Sequence, residues 1–195
     1  LYTKEELKAL RRVCEEYQLP LFLDGARLGY GLCAPGTDVT LADLAELCDV
    51  FYIGGTKVGA LFGEAVVFPK KNTVPGFFTL MKQGAVLAKG RLLGIQFDTL
   101  FTENLYLKIS AHAIEMAMRI KELLTEHGCP LYINSPTNQQ FVVLNAAQRE
   151  ALKDRVSCET WEELENGAAA VRFASSWATK SEDVEELGRI LKTLP

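Results

Sequence analysis

Two short apolar runs end abruptly in polar chemistry. Leu21-Phe22-Leu23 leads into Asp24-Gly25-Ala26-Arg27, and Val50-Phe51-Tyr52-Ile53 leads into Gly54-Gly55-Thr56-Lys57. A lysine at a dry strand end can condense with an aldehyde. A carboxylate deeper in the same pocket can hold a protonated ring nitrogen, because opposite charges favour both ionised forms. Pyridoxal phosphate makes both demands, a Schiff-base lysine and an acidic partner for its pyridine nitrogen. Its ring then takes electrons from a carbanion at the α-carbon of an amino acid. The competing reading of Lys57 is a solvated lysine on a turn.

The elements needed to bring these groups together are also in the sequence. Both apolar runs have the length and composition of fully buried strands. Between them Leu41 to Cys48 reads as a helix, capped by Thr40 with Asp43. Strand, helix and strand form a βαβ unit with parallel strands, and such sheets bind ligands beyond the carboxyl ends of their strands. Ala65-Val66-Val67-Phe68 reads as a further strand, stopped by Pro69. It follows Lys57 too closely for a helical crossover, so it should pair antiparallel. Gly54, Gly55 and Gly59 would let backbone approach a ring closely. Gly29, Gly31 and Ala34 match the spacing of a dinucleotide fingerprint, but they neither follow a strand directly nor open a clean helix. No Gly-Lys-Ser/Thr is present to make a nucleotide phosphate loop.

Leu23-Asp24-Gly25-Ala26-Arg27-Leu28 resembles the Asp-Gly-Ala-Arg segment of the threonine aldolases, within the β-eliminating lyase group of fold-type I pyridoxal-phosphate enzymes. Gly55-Thr56-Lys57 sits where that family carries its cofactor lysine. Ala88-Lys89-Gly90-Arg91-Leu92-Leu93-Gly94 and Val171-Arg172-Phe173-Ala174-Ser175-Ser176-Trp177-Ala178-Thr179 resemble two further family segments, in the family's order. The resemblance implies an α/β fold: part of an aspartate-aminotransferase-like large domain with a mostly parallel sheet, plus a small α+β carboxy-terminal domain. It implies cofactor binding by Lys57, Asp24, Arg27 and Thr56, catalysis by Lys57 and Asp24, and a grip on the substrate carboxylate by Arg172. Gln83 is followed at once by Gly84, tighter than the family pattern, so Lys82 reads equally as a phosphate contact or a surface lysine. The chain opens on Leu1 and a helix that lies well inside the family's large domain. By resemblance it is the carboxy-terminal part of a longer enzyme.

The composition narrows the partners. The chain has 195 residues, is 48% hydrophobic and carries a net charge of −4. That balance argues against a nucleic-acid surface, and no apolar run reaches the length of a membrane span. The five cysteines are odd in number and none forms a C-x-x-C pair. A metal site or disulfide framework is therefore not expected, a reducing cytoplasm is the simplest compartment, and each cysteine reads as a small core residue.

The rest of the chain reads as support. Thr3 and Glu6 have capping-box spacing before a first helix. A stripe from Leu105 to Leu124 implies a long helix ending at His127 with Gly128 as its cap; His127 suits the negative end of that helix, and His112 carries no role. Residues 1–97 are then a cofactor-domain remnant, 98–128 the connecting helix and 129–195 the small domain. In that domain 140–144 and 169–173 read as strands, 147–156 as a helix, and Thr179 with Glu182 as the capping box of a final helix. Trp161 and Trp177 read as packing residues. Arg172 interrupts an apolar strand and needs an anion, either Glu162 or Glu163, or a substrate carboxylate held in bidentate fashion. The expected reaction is cleavage of a β-hydroxy-α-amino acid such as threonine to glycine and an aldehyde, by a homo-oligomer. Two alternatives are another β-eliminating lyase on the same scaffold and a non-catalytic fragment or interaction module.

Overall fold

A computed structural model describes residues 1–71, 73–84 and 90–195, so Asn72 of the 70–73 loop and Ala88-Lys89 of the third family segment lie outside the described residues. The chain divides into two compact units, one of residues 1–32 and 37–108 and one of residues 33–36 and 109–195.

In the first unit, α1 (Lys4–Glu16) starts at the expected capping box: the Thr3 hydroxyl accepts from the Glu6 amide while the Glu6 carboxylate accepts from the Thr3 amide. β1 (Phe22–Leu23) is followed by α2 (Leu28–Leu32), which occupies the stretch with fingerprint-like spacing. α3 (Leu41–Leu47) has a second capping box, made by Thr40 and Asp43. β2 (Val50–Gly54) pairs parallel with β1 and antiparallel with β3 (Glu64–Val67), giving a three-stranded sheet in the order β1-β2-β3. Both pairings follow the expectation, and the described sheet holds one parallel and one antiparallel pair.

The expectation of two fully buried strands fails, in part at β2, where Val50 and Tyr52 are half-buried, and most clearly at β1. Phe51 and Ile53 of β2 are buried, whereas Phe22 of β1 is 56% exposed. Strand side chains alternate between faces. Phe22, Asp24, Glu64 and Val66 are all exposed, and by register they share the face of Tyr52. The apolar core lies on the opposite face.

α4 (Phe77–Gln83) and α5 (Arg91–Phe101) follow, then a one-turn break at residues 102–104 before α6 (Leu105–Glu126). The stretch 98–128, expected as one connecting helix, is thus the end of α5, the break and α6. Glu103 and Asn104 stand at φ of 50° and 61°, a left-handed excursion that no helix continues through. α6 runs across the division between the units and closes as expected: Gly128 takes φ of 74°, and the His127 ring nitrogen meets the Leu123 carbonyl at 2.8 Å.

The second unit builds its own core. β4 (Leu131–Ile133), β5 (Gln139–Leu144), β6 (Glu159–Glu163) and β7 (Ala169–Ala174) form an antiparallel sheet in the order β4-β5-β7-β6. Val142, Leu144, Val171 and Phe173 pack against Met116, Ile120 and Leu124 of α6. α7 (Ala146–Leu152) is shorter than the expected helix over 147–156, and its cap is Asn145 with Gln148. α8 (Ser181–Leu191) lacks the expected capping box. Its cap is Lys180, without a side-chain bond, because the Thr179 hydroxyl is turned back to accept from the Ser176 amide at 2.8 Å. Cys48 and Cys129 are buried as expected, Cys14, Cys33 and Cys158 are half-buried, and none of the five is in a disulfide. Trp161 and Trp177 are not enclosed, at 52% and 45% exposed.

At the carboxyl ends of β1 and β2 the backbones touch. The Gly54 amide donates to the Gly25 carbonyl at 2.9 Å. A Cβ on Gly25 would stand 1.8 Å from the Tyr52 carbonyl oxygen, and one on Gly54 would stand 2.3 Å from that of Ala26.

Gly25→Ala should therefore destabilise the first unit by about 3 kcal/mol, at the upper end of overpacking costs, because only backbone could move aside. Leu144→Ala should cost about 3 kcal/mol through the cavity left in the second unit, since Leu144 is fully buried. Denaturant melts of each variant measure both.

Candidate active site

Asp24, Arg27, Thr56 and Lys57 all leave the carboxyl ends of β1 and β2. Asp24 follows β1 directly, and its Oδ1 accepts hydrogen bonds from the Tyr52 hydroxyl and from the Ala26 amide at 3.0 Å. These bonds hold its carboxyl below the usual aspartate range, the Tyr52 hydroxyl contributing most and the Ala26 amide next. The positive charges of Lys57 and Arg27 add to them against partial desolvation. Asp24 is thus close enough to Lys57 and Arg27 to feel their charges. Asp24 and Lys57 are both exposed, whereas the sequence pattern predicts a carboxylate deep in a pocket and a lysine at a dry strand end. The reason is the uncovered sheet face that carries Phe22, Asp24 and Tyr52.

Lys57 rides on the tight connection between β2 and β3. The turn is fastened at several points: the Val58 and Ala60 amides donate to the Gly55 carbonyl at 2.8 and 3.0 Å, and the Gly55 amide donates to Glu64 Oε2 at 3.0 Å. The Thr56 hydroxyl donates to the Gly63 carbonyl at 3.4 Å, and the Tyr30 hydroxyl donates to the carbonyl of Lys57 itself. The Lys57 backbone is fixed while its amine stays in solvent. Tyr106, itself buried, ties the end of β2 to α2. Its hydroxyl donates to the Gly54 carbonyl at 3.0 Å and accepts from the Gly29 amide at 3.0 Å, and its ring stacks on Phe101.

Tyr30, Tyr52, Tyr106 and Glu64 were not among the residues singled out from the sequence. A usable signal existed, because a tyrosine in an apolar stretch needs a partner for its hydroxyl when buried, and Tyr30 and Tyr106 are each 1% exposed.

Beside Asp24 and Arg27 opens a hollow of about 560 Å³ with largely apolar walls that include Leu7, Leu10 and Leu28; Lys57 does not line it. Arg172 belongs to the second unit. Its Nη1 donates to Gln139 Oε1 at 2.8 Å, its Nη2 pairs with Glu159, and its guanidinium lies 5.6 Å from the centre of the Trp161 ring. The protein anion beside it is Glu159, not Glu162 or Glu163. Strand register explains the difference, since Glu159 stands opposite Arg172 while Glu163 pairs with Arg149 and Glu162 accepts from Tyr132. Lys82 lies on α4 with its amine 4.9 Å from the centre of the Phe78 ring. His112 meets the Thr179 carbonyl at 2.7 Å, a packing role. Among the described residues there is no cluster that could hold a metal ion and no helix long and apolar enough to cross a membrane.

The residues present fit pyridoxal phosphate. Asp24 has one oxygen held and no hydrogen-bond donor to the other among the described residues. Lys57 offers a free-standing amine on a fastened turn, and the glycines at the strand ends leave no side chains between them.

Comparison with known proteins agrees. The chain matches the beta-eliminating lyase family over residues 1–189. It is 31% identical over 194 residues to a low specificity L-threonine aldolase of Pseudomonas aeruginosa, covering 98% of this chain and 55% of that protein. The chain thus spans about half the length of the curated relatives it matches. It superposes on the structure of Leishmania major threonine aldolase with a TM-score of 0.94 at 42% identity, covering 98% of this chain and 56% of that one. The lysine aminotransferase of M. tuberculosis shares the fold alone, with a TM-score of 0.59 at 18% identity over 99% of this chain and 45% of that one. The fold is that of the fold-type I enzymes, the family and its fold neighbours use pyridoxal phosphate, and this chain belongs to the beta-eliminating lyase family.

Proposed function

We propose that a protein containing this chain cleaves β-hydroxy-α-amino acids, threonine and allo-threonine among them, into glycine and an aldehyde. The observation that carries the reading is the meeting of Asp24 and Lys57 at neighbouring strand ends, with Asp24 feeling the charges of Lys57 and Arg27, in a chain so similar to a threonine aldolase.

Pyridoxal phosphate, when bound, supplies an aldehyde carbon for a lysine and a ring that accepts electrons. Lys57 would hold that aldehyde through its amine. Asp24 keeps the ring nitrogen protonated, its own ionised form favoured by the donors on Oδ1. Arg27 and Thr56 would help to hold the cofactor. Arg172 grips the substrate carboxylate and exchanges its exposed partner Glu159 for it, a swap that costs little because exposed ion pairs are worth about 0–1 kcal/mol.

A second reading is a β-elimination on the same residues, favoured by the breadth of the matching family. A panel that sets threonine against β-substituted amino acids separates the two. The assembly is a homo-oligomer, a reading supported by the exposed Phe78, Leu80, Leu92 and Ile95 of α4 and α5, since apolar side chains gain by leaving water. The five cysteines, none of them in a disulfide, suit a reducing cytoplasm.

Borohydride reduction of the loaded full-length protein, followed by peptide mapping, should leave the pyridoxyl label on Lys57, and Lys57→Ala should abolish release of glycine from threonine. A label on another lysine overturns the assignment. The 195-residue chain by itself, spanning only part of its relatives' length, should develop little stable absorbance with pyridoxal phosphate and release no glycine. Turnover by this chain at the rate of a protein of the relatives' full length would refute that expectation.

A further inference from the structure

We infer that Tyr52 is a positioning residue, whose hydroxyl acts with the Ala26 amide to pin one oxygen of Asp24 and present the other to the cofactor's ring nitrogen. The inference rests on the reading of Asp24 as the partner of that nitrogen.

The geometry begins with strand register. Leu23 stands opposite Phe51 in the parallel β1–β2 pair, so the next residues, Asp24 and Tyr52, stand side by side on the uncovered face. Both hydrogen bonds to Asp24 end on Oδ1, one from the Tyr52 hydroxyl and one from the Ala26 amide. Among the described residues no donor reaches Oδ2. The Tyr52 ring is itself backed by Phe22, with ring centres 5.9 Å apart at an interplanar angle of 38°.

This arrangement does two things for a cofactor. A carboxylate held at one oxygen cannot spin about its last torsion, so the free oxygen is aimed before the ring arrives, and less conformational freedom is lost on binding. The hydrogen bonds also favour the ionised carboxylate, which in turn favours the proton on the ring nitrogen. Tyr52 can serve as a donor throughout the range in which Asp24 titrates, because its own phenol is pushed up to about 12, chiefly by the bond to Asp24. The other charges that act on the pair are Lys57 and Arg27 on Asp24, and Glu64 of β3 on Tyr52. Tyr52 touches neither the substrate nor the reacting carbon in this scheme; it acts through Asp24.

The test uses the full-length protein with aspartate labelled at the carboxyl carbon. The Asp24 signal is identified by its loss in Asp24→Asn and followed by NMR as pH is lowered without cofactor. In Tyr52→Phe one of the donors that lower the Asp24 midpoint is gone, so the midpoint should move up. Affinity for pyridoxal phosphate should fall roughly fivefold, the worth of one hydrogen bond, with little change in melting temperature because the ring is retained. Should Tyr52→Phe fail to fold, 3,5-difluorotyrosine at position 52 keeps the shape and donates more strongly, so it should move the midpoint down. An Asp24 midpoint unmoved by either change overturns the positioning role, since packing alone would not hold it. The reading beneath it fails separately: if Asp24→Asn binds pyridoxal phosphate with an unchanged absorbance spectrum between pH 6 and pH 9, Asp24 is not the partner of the ring nitrogen, whatever Tyr52 does.

Discussion

The contact on which the site depends is the backbone crossing of Gly25 and Gly54. The hydrogen bond between them continues the parallel β1–β2 pairing past the end of β1. It brings the segment that carries Asp24 and Arg27 beside the segment that carries Thr56 and Lys57. No side chain fits between those backbones, so the acid and the amine emerge from a common edge. Tyr106 braces the same crossing from the buried side, by bonds to Gly54 and Gly29. Gly54 is therefore fastened through both its amide and its carbonyl, to Gly25 and, by way of Tyr106, to Gly29 of α2. Catalytic groups that must meet a ring in a fixed pose need such rigidity beneath them.

The turn after β2 obeys the same logic from the other side. A lysine that bonds a cofactor needs a mobile amine on an immobile backbone. The turn has both: its amides and carbonyls are claimed by Gly55, Glu64 and Tyr30, while the Lys57 side chain is exposed. The sharp antiparallel return into β3 is what makes Glu64 available, because Glu64 stands opposite Gly54 in the ladder. A helical crossover at this point would have carried that carboxylate away.

Much of this was legible in the sequence, and the reasons are local. The two capping boxes at Thr3 and Thr40, the parallel and antiparallel partners of Val50–Gly54, and the end of α6 at Gly128 follow from spacings of a few residues. What was not legible depended on distant partners. Thr179 has capping spacing, yet its hydroxyl serves the Ser176 amide instead, since a hydroxyl has more than one amide within reach. The partner of Arg172 is decided by strand register in the second unit, which brings Glu159 rather than Glu162 or Glu163 opposite it. Tyr52 was visible only as an apolar strand residue, because its role is set by the neighbour across the ladder and not by its own segment.

Phe22 is where pattern and exposure disagree most, and the disagreement follows a physical logic. An unbroken apolar run such as Leu21-Phe22-Leu23 belongs to a strand covered on both faces, whereas a strand with one wet face alternates. β1 has the first kind of sequence and the second kind of surroundings, with Leu23 partly enclosed and Phe22 exposed. The same face carries Asp24 and Tyr52, whose bond is electrostatic and grows stronger as water is excluded. Covering that face would bury Phe22, dry the Asp24–Tyr52 pair and leave Asp24 Oδ2 without a donor from the described residues. Such an acceptor is costly unless a donor arrives to meet it, and a protonated ring nitrogen is a donor of the right charge. On the proposed reading the apolar residue and the pinned carboxylate are parts of one arrangement, in which exclusion of water would strengthen the hold of Asp24 on the cofactor's nitrogen.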